Sequence, residues 1–457
     1  MGRIVAIACG LNEPKKDYSI INRKNLYLNY GLLGLCTLLK KQGYEVRQFQ
    51  GEYLKPYELI EIINGTEFKL QTIEYPVLIS IVSFLSLEWC QEITKILKLE
   101  YGINCIVGGK YVIDGNIEWL KNKLPYVTLF IEGAGERKIE DALLHNCVNE
   151  LECSEYYNGL DYSLVYNYKL YNPSIELARG CGRGCEYCAD GIRKRTSVKE
   201  ADKVIDELHF IEHTYDYEEF NLYFQMATFQ VSDEWIEIYT KRMKEFDRRI
   251  FWRCTSRIDV LDLSSLPKLA QIGLRVIDLG LESASPRQLR LMKKTNKPIE
   301  YLHKAEEILH VAYESGIWVK LNVLLTAGEN YETISDTREW LDKNRKYIKG
   351  ISSNCETIYG PNNDLIKYLR PLGATYVNDN DLKEKGYANI NLSNELDYNL
   401  AKEIARDLSK FIMSADDYFE LKKYGYFPRN YSKRQFLTDL HETNQDKLPF
   451  RTRKGKL

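Results

Sequence analysis

The sequence predicts an α/β protein with two successive parallel sheets and a helical carboxyl-terminal region. Short apolar strands alternate with amphipathic helices over residues 1–146, and a second strand–helix series begins at Ser174. A group of closely spaced cysteines follows the first strand of that second series. We expect a doubly wound, Rossmann-like domain over 1–147, a linker over 148–172, a partial (β/α)6 barrel over 173–365 and a mostly helical region over 366–457.

The amino-terminal region shows five strand patterns separated by helices. The expected strands are Arg3–Ala8, Tyr44–Gln50, Pro76–Ser83, Asn104–Val107 and Val127–Glu132, with helices over Tyr30–Gly43, Leu87–Tyr101 and Asn116–Leu124. Ligands of a doubly wound sheet bind beyond the carboxyl ends of its strands. Those ends carry Cys9-Gly10, Ser83 to Ser86, Gly108-Gly109 and Gly133-Ala-Gly-Glu136.

The second series has six strand patterns, which favours an open partial barrel. The expected strands are Ser174–Ala178, Phe220–Gln225, Ile250–Thr255, Arg275–Leu281, Trp318–Leu325 and Gly350–Thr357, with a first helix over Ser197–His213. Barrel chemistry is placed at the carboxyl ends of such strands. Past Pro361 the pattern becomes helical and polar, as over Leu400–Met413.

Composition excludes several broad classes. The net charge is −2, so no overall field favours nucleic acid, and no apolar run is long enough to cross a bilayer. The eleven cysteines are an odd number, most lie in apolar runs, and there is no signal peptide. We therefore expect a cytoplasmic protein without a disulfide framework, a membrane partner or a nucleic-acid partner.

Cys181, Cys185 and Cys188 form the pattern C-x3-C-x2-C. Iron–sulfur clusters are normally held by four cysteine thiolates, so three would leave one iron open to another ligand. A structural zinc site needs four ligands, but there is no second cysteine pair nearby and the next histidine downstream is His209. The pattern therefore favours a cluster with an open iron.

With Arg179-Gly180 before it and Tyr187 within it, this run resembles the radical S-adenosylmethionine (SAM) superfamily. The resemblance implies a [4Fe-4S] cluster held by the three cysteines, with SAM chelating the open iron through its amino and carboxylate groups. An electron donor such as flavodoxin or ferredoxin would reduce the cluster. SAM is then cleaved to a 5′-deoxyadenosyl radical, which abstracts hydrogen from an unactivated carbon. Tyr187 would lie against the adenine of SAM.

The fourth strand of the second series carries another match to this superfamily. Gly280-Leu-Glu-Ser283 resembles its strand-four signature, so Gly280, Glu282 and Ser283 are expected to contact SAM. Arg257 resembles the strand-three arginine that pairs with the SAM carboxylate; the alternative is a structural ion pair with Asp259. The second strand departs from the pattern.

The departure lies in the run from Phe224 to Phe229. Many relatives have two acidic residues where this chain has Met226 and Ala227. A usual polar contact to SAM or substrate is therefore in doubt, and Gln225 and Thr228 are possible substitutes. The other interpretation is a buried hydrophobic strand end.

The amino-terminal layout resembles the cobalamin-binding domain found before many radical SAM domains. The resemblance rests on Gly108-Gly109 and on Gly133-Ala-Gly-Glu136. Glycines let the backbone approach a large flat ligand. The residues expected at cobalamin are Ser83, Ser86, Gly108, Gly109, Gly133 and Gly135. The domain has no Asp-x-His-x-x-Gly motif, so cobalamin would lack a histidine ligand; the alternative is a Rossmann-like domain without cobalamin.

The resemblance favours cobalamin-dependent C-methylation of a small-molecule or peptide substrate, with a second SAM molecule remethylating cobalamin. A cobalamin-free dehydratase, deoxygenase or epimerase is the enzyme alternative. Cys254 and Cys355 are candidate thiol hydrogen donors for an epimerase, although packing cysteines are commoner. A methylthiotransferase would need a second cysteine triad. An iron–sulfur or zinc sensor or scaffold is the non-enzyme alternative, which the paired motifs disfavour.

Overall fold

A computed structural model describes residues 2–12, 20–112, 116–145, 159–188, 191, 193–215 and 217–452. The described chain contains two parallel sheets, one of five strands and one of six, and a small antiparallel sheet of three strands. Across these residues, no helix is both long enough and apolar enough to cross a membrane.

The amino-terminal sheet is parallel, with strand order β2-β1-β3-β4-β5. Its strands are β1 (Arg3–Ala8), β2 (Glu45–Gln50), β3 (Val77–Ser80), β4 (Cys105–Gly108) and β5 (Leu129–Phe130). The helices around it are α1 (Ile20–Arg23), α2 (Tyr30–Lys41), α3 (Pro56–Asn64), α4 (Leu87–Tyr101), α5 (Ile117–Lys123) and α6 (Ile139–His145).

Both faces of this sheet are covered by helices. Successive residues of a strand point to opposite faces, and β1 shows the result. Ile4 joins the core cluster that includes Leu39 of α2, whereas Val5 joins the cluster that includes Ile93 of α4. The prediction of a doubly wound sheet is therefore confirmed, and the carboxyl ends of its strands meet at one edge.

The second sheet is a parallel six-stranded partial barrel, with strand order β11-β10-β9-β8-β7-β6. Its strands are β6 (Ser174–Glu176), β7 (Glu219–Gln225), β8 (Arg249–Arg257), β9 (Leu274–Glu282), β10 (Trp318–Leu325) and β11 (Gly350–Cys355). Its helices are α7 (Ala201–Tyr215), α8 (Asp233–Arg242), α9 (Ser265–Gln271), α10 (Pro286–Leu291), α11 (Pro298–Glu314) and α12 (Tyr331–Lys343).

One face of the barrel strands is apolar and the other is polar. Leu279 of β9 is fully buried in the core cluster that also includes Leu309 of α11. On the other face, the Asp278 carboxylate accepts hydrogen bonds from the Arg253 guanidinium at 2.5 and 2.6 Å and from Lys320 Nζ at 2.6 Å. Burial opposes ionisation, but these two cations lower the pKa of Asp278. The polar face therefore supports buried charge.

The carboxyl-terminal region contains an antiparallel sheet that the sequence pattern did not predict. Its order is β12-β14-β13, and its strands have two to five residues, too few to show a clear alternation. The strands are β12 (Thr357–Tyr359), β13 (Thr375–Tyr376) and β14 (Tyr387–Asn391). The helices are α13 (Ile366–Leu369), α14 (Asp381–Lys385), α15 (Tyr398–Ile412), α16 (Ala415–Lys423) and α17 (Lys433–His441).

Predicted and observed elements differ mainly at their ends. The strand expected over Gly350–Thr357 ends at Cys355, because Thr357 starts the antiparallel strand β12. The strand expected over Pro76–Ser83 ends at Ser80, and α3 was not predicted. Much of the expected linker lies outside the described residues, so the domain boundaries stay a prediction.

Candidate active site

A cavity of about 930 Å³ lies between the carboxyl-terminal edges of the two parallel sheets. Its wall includes Ser80 and Gly108 from the ends of β3 and β4, and Glu176 and Gln225 from the ends of β6 and β7. The volume is in the range of cofactor and substrate pockets. The predicted ligand edge of the first sheet therefore opens toward Arg179-Gly180 at the start of the cysteine loop, whereas the three cysteines and the residues predicted for SAM are not part of the cavity wall.

All six residues predicted for cobalamin line this cavity: Ser83, Ser86, Gly108, Gly109, Gly133 and Gly135. Gly109 has a φ of +113°, and a Cβ there would lie 2.3 Å from the Ile81 carbonyl oxygen. A side chain is therefore excluded at this turn. Ser86 is buried and its hydroxyl has no hydrogen-bond partner.

Part of the cavity is an apolar slot in the amino-terminal domain. Its wall is formed by aliphatic side chains of α2, the sheet and α6, namely Leu32, Leu35, Leu78, Ile106, Ile131 and Ile139. A Cβ on Gly135 would lie 3.0 Å from Leu35, so the glycine keeps its loop close to α2. The slot suits a flat apolar ring more than a charged group.

Another part of the wall is polar and was not predicted. Glu52 follows β2 with a φ of +46°, and the Tyr171 hydroxyl donates a hydrogen bond to its carboxylate. Burial raises the pKa of Glu52 to about 7. Asn25 is also buried, and its Oδ1 has no hydrogen-bond partner. The sequence held one signal for Glu52, an acidic residue just after a buried strand.

Arg179 joins the two sheets beside the cavity. Its guanidinium donates to Glu136 at 2.7 Å, and to both carboxylate oxygens of Glu176 at 3.0 and 3.1 Å. Glu136 belongs to the glycine-rich loop after β5, and Glu176 ends β6. Burial raises the pKa of Glu176 to about 7. The arginine just before the cysteine pattern therefore fixes the cysteine loop against the amino-terminal domain.

The three cysteines lie on a tight loop after β6. The Cys181 amide donates to the Arg193 carbonyl and the Gly184 amide to the Gly191 carbonyl, each at 2.9 Å. Gly180 has a φ of +74°, and a Cβ there would lie 2.4 Å from the Lys194 carbonyl oxygen. Cys185 is buried, while Cys181 and Cys188 are partly exposed. The loop closes on itself because glycine occupies the crowded position.

The donor chemistry of this loop fits an iron–sulfur cluster. None of the three cysteines is in a disulfide, and they are separated by only three and two residues. Within the described ranges, no three His, Cys, Asp or Glu side chains are gathered in an arrangement that could hold a metal ion. Cluster ligation by these thiolates therefore stays a prediction.

The strand-four residues meet at a buried lysine. Lys294 Nζ donates to Glu282 Oε1 at 3.0 Å and lies 3.5 Å from the Tyr187 hydroxyl. Glu282 has a φ of +65°, so its backbone is strained. A Cβ on Gly280 would lie 2.6 Å from Glu282 Oε1 and 2.9 Å from Lys294 Nζ, so both side chains would have to move if Gly280 carried a side chain. Lys294 was not among the residues predicted for SAM.

Ser283 and Arg257 are occupied by the protein itself. The Ser283 hydroxyl lies 3.2 Å from the Thr337 hydroxyl and accepts from the Ser285 amide. Arg257 donates to both carboxylate oxygens of Asp259, at 2.9 and 3.1 Å. This geometry favours the alternative of a structural ion pair for Arg257.

The departure in the second strand is also visible. Met226 is buried and Ala227 exposed, and both line the cavity. The Thr228 hydroxyl lies 3.3 Å from Cys181 Sγ, whereas Gln225 donates to the Ser174 hydroxyl at 3.2 Å. Thr228 therefore contacts the cysteine loop, one residue after the two positions at which many relatives carry acidic residues.

The two candidate hydrogen-donor thiols face away from the cavity. Cys254 is fully buried in the main hydrophobic cluster, and Cys355 packs against the same cluster. Burial raises the pKa of both thiols, that of Cys355 to about 12. Neither residue lines the cavity. Packing explains both cysteines.

Residues 175–341 match the profile of the Radical SAM superfamily. This range covers β6 to α12, with the cysteine loop, the Gly-Leu-Glu-Ser strand end and Lys294. The prediction of a radical SAM domain is confirmed, and the protein is an enzyme. An iron–sulfur cluster and SAM are the cofactors of this domain.

Two solved structures share the overall fold. The chain is similar to the radical SAM methyltransferase TsrM of Kitasatospora setae, solved with tryptophan and a SAM analogue, at 15% identity and a TM-score of 0.59, covering 79% of this chain and 74% of that one. It is also similar to the cobalamin-dependent SAM radical enzyme OxsB, at 14% identity and a TM-score of 0.55. The match covers 93% of this chain and 61% of the OxsB chain. The fold class is thereby confirmed.

A curated relative covers a smaller region. The uncharacterized methyltransferase PH0819 of Pyrococcus horikoshii is 27% identical over 126 residues. The match spans about a quarter of each chain, 27% in both cases. The name of this relative gives no substrate.

Proposed function

We propose that this protein is a cobalamin-dependent radical SAM methyltransferase that methylates an unactivated carbon of a small molecule or peptide. The observation that carries the proposal is the single cavity of about 930 Å³ shared by both sheets. The glycines of the amino-terminal sheet and Arg179-Gly180 of the cysteine loop line the same space. A group bound over the first sheet would therefore face the barrel directly.

Cys181, Cys185 and Cys188 are the residues proposed to hold the cluster. When bound, the cluster supplies the one electron that cleaves SAM reductively. The chain's own part is to fix the loop: Gly180 allows its tight closure, and Arg179 binds Glu136 beside the cavity. SAM is proposed to lie beside Tyr187, where Lys294 and Glu282 offer an ammonium and a carboxylate.

The amino-terminal wall of the cavity fits a cobalamin. Glycine at positions 108, 109, 133 and 135 leaves the sheet edge open to a broad flat ring. The apolar slot beside α2 would hold an apolar ring such as the dimethylbenzimidazole base of cobalamin. No histidine is among the described residues that line the cavity. When bound, cobalamin supplies the methyl group. In support, the methyltransferase TsrM has been solved with cobalamin and a [4Fe-4S] cluster bound, and OxsB is named a cobalamin-dependent enzyme.

The positions of Cys254 and Cys355 weaken the epimerase alternative. An epimerase of this kind needs a hydrogen donor beside the substrate, and both thiols lie on the side of the strands that packs against the hydrophobic core. A methyl transfer needs no thiol hydrogen donor beside the substrate.

The proposal is tested by anaerobic reconstitution with iron, sulfide and hydroxocobalamin. We expect both chromophores to remain after gel filtration, with no nitrogen coupling from a protein histidine in the Co(II) spectrum. With SAM and a reductant, S-adenosylhomocysteine should form alongside 5′-deoxyadenosine. Cluster without retained cobalamin would overturn the methyltransferase proposal in favour of a cobalamin-free radical enzyme.

A further inference from the structure

We propose that Arg257 is a positioning residue that acts through Cys185 and makes the cluster easier to reduce. The inference rests on the proposed cluster at Cys181, Cys185 and Cys188. Its basis is one contact: Arg257 Nη1 donates a hydrogen bond to Cys185 Sγ at 2.8 Å. Hydrogen bonds to cluster sulfurs are among the features that set the reduction potential.

The guanidinium is fixed from two further directions. Nε and Nη2 bind the Asp259 carboxylate, and Nη2 also donates to the Lys294 carbonyl oxygen at 3.0 Å. Arg257 is 7% exposed, so water does not replace these partners. An arginine side chain stays protonated at ordinary pH, and the ion pair with Asp259 holds this guanidinium in place. The donor is therefore charged and held in one orientation.

Two of the three cysteines have a described contact at the sulfur, and only that of Cys185 is with a charged donor. Cys181 Sγ lies 3.3 Å from a neutral hydroxyl, that of Thr228. Bonds from an ionised donor are about twice as strong as neutral ones. Reduction adds one electron from dithionite or a flavodoxin to the cluster, so the negative charge shared by its sulfurs increases. A cationic N–H at Cys185 therefore favours the reduced form.

The test is a potentiometric titration of the reconstituted cluster, followed by EPR without SAM. Arg257→Lys keeps the charge, but its single nitrogen cannot bind Asp259 and reach Cys185 together. At a fixed solution potential we expect the ratio of reduced to oxidised cluster to fall about tenfold, which is about 59 mV for a one-electron couple. An unchanged potential would overturn the inference.

Arg183→Lys is the matched control. Arg183 lies 3.9 Å from the same Asp259 carboxylate, but its side chain is 42% exposed. We expect this variant to keep the wild-type potential. An equal fall in both variants would show a general effect of charge placement and not a hydrogen bond, which also overturns the inference.

A second measurement does not depend on the Arg257 variant assembling its cluster. The Arg183→Lys protein is labelled with guanidinium-¹⁵N arginine, and the reduced cluster is studied by pulsed EPR. A ¹⁵N coupling supports the contact, and its absence contradicts it. If the wild-type protein takes up no cluster at all, the proposed function fails; a wild-type cluster without the coupling or the shift removes only the role of Arg257.

Discussion

The two parallel sheets meet at one cavity but contribute different kinds of surface. The amino-terminal edge presents glycines, three serines and an apolar slot. At the cavity the barrel edge presents the charged side chains of Glu176, Arg179 and Lys194. The Glu282–Lys294 and Arg257–Asp259 pairs belong to the same barrel but lie outside the cavity wall. On the polar face of the barrel, Asp278 is bound by two cations.

This difference separates two ways of binding a cofactor. A surface of glycines selects a ligand by shape, because its backbone can approach closely wherever no side chain intervenes. A surface of buried charges selects by complementary groups, because an unpaired charge in such a place is costly. Changes in bulk should therefore damage the first edge, and changes in charge the second.

The largest expected effect is at the cysteine loop. Changing Cys181, Cys185 and Cys188 to Ala together should remove the iron–sulfur absorbance and all reductive cleavage of SAM, because the thiolates are the proposed cluster ligands. Iron analysis and 5′-deoxyadenosine formation measure this. Cys355→Ala is the control and should retain the cluster. Reductive SAM cleavage by the triple variant would show that the cluster site lies elsewhere.

The second prediction concerns the glycine-rich edge of the amino-terminal sheet. At Gly108 a Cβ would make only ordinary contacts, 3.5 Å from the Ile131 carbonyl oxygen. Gly108→Leu should fill part of the cavity and abolish retention of hydroxocobalamin through gel filtration. Gly108→Ala adds one methyl group and should lose much less. The iron–sulfur spectrum should be the same in both. Full retention by the Leu variant would contradict binding over this sheet edge.

Glu52 is one of the ionisable residues on the amino-terminal side of the cavity, and its pKa of about 7 predicts a pH effect. The folded protein keeps the carboxyl proton up to about pH 7, whereas the unfolded chain releases it near the ordinary pKa of 4.5. Stability therefore falls as pH rises from about 4.5 to 7 and stays lower above.

Glu52→Gln should remove that part of the pH dependence. At pH 8 the variant should gain up to about 3 kcal/mol relative to its gain at pH 4.5, since each pKa unit corresponds to about 1.4 kcal/mol. Denaturant unfolding at both pH values measures it, with Glu92→Gln on the exposed face of α4 as control. Parallel wild-type and variant curves would mean that Glu52 is ionised in the folded protein.

The smallest expected effect is at Glu282. Glu282→Gln removes the charge that pairs with Lys294 and should weaken SAM binding about tenfold, the lower end for loss of a charge-assisted hydrogen bond. Equilibrium dialysis with the intact cluster measures it. Glu300→Gln removes an exposed partner of Lys297 and should leave the affinity unchanged. Wild-type affinity in Glu282→Gln would assign the pair to the scaffold.

The sequence identified the strands of both parallel sheets because their apolar runs are long and regular. Trp318–Leu325 was predicted with the bounds that the structure shows. Strands β12, β13 and β14 were not recognised as a sheet, because short antiparallel strands depend on partners distant in the chain. The helix α3 was likewise missed in spite of a proline at its start.

By itself the sequence determined the two strand–helix series, the cysteine pattern and the Gly-Leu-Glu-Ser strand end, because each of these depends only on residues that are close together in the sequence. Only the tertiary structure decided that Glu52 meets Tyr171, that Arg179 binds Glu136 beside the cavity, and that Arg257 reaches Cys185. These contacts join residues 119, 43 and 72 positions apart. Local patterns record which elements form, whereas contacts between their ends depend on how the sheets pack.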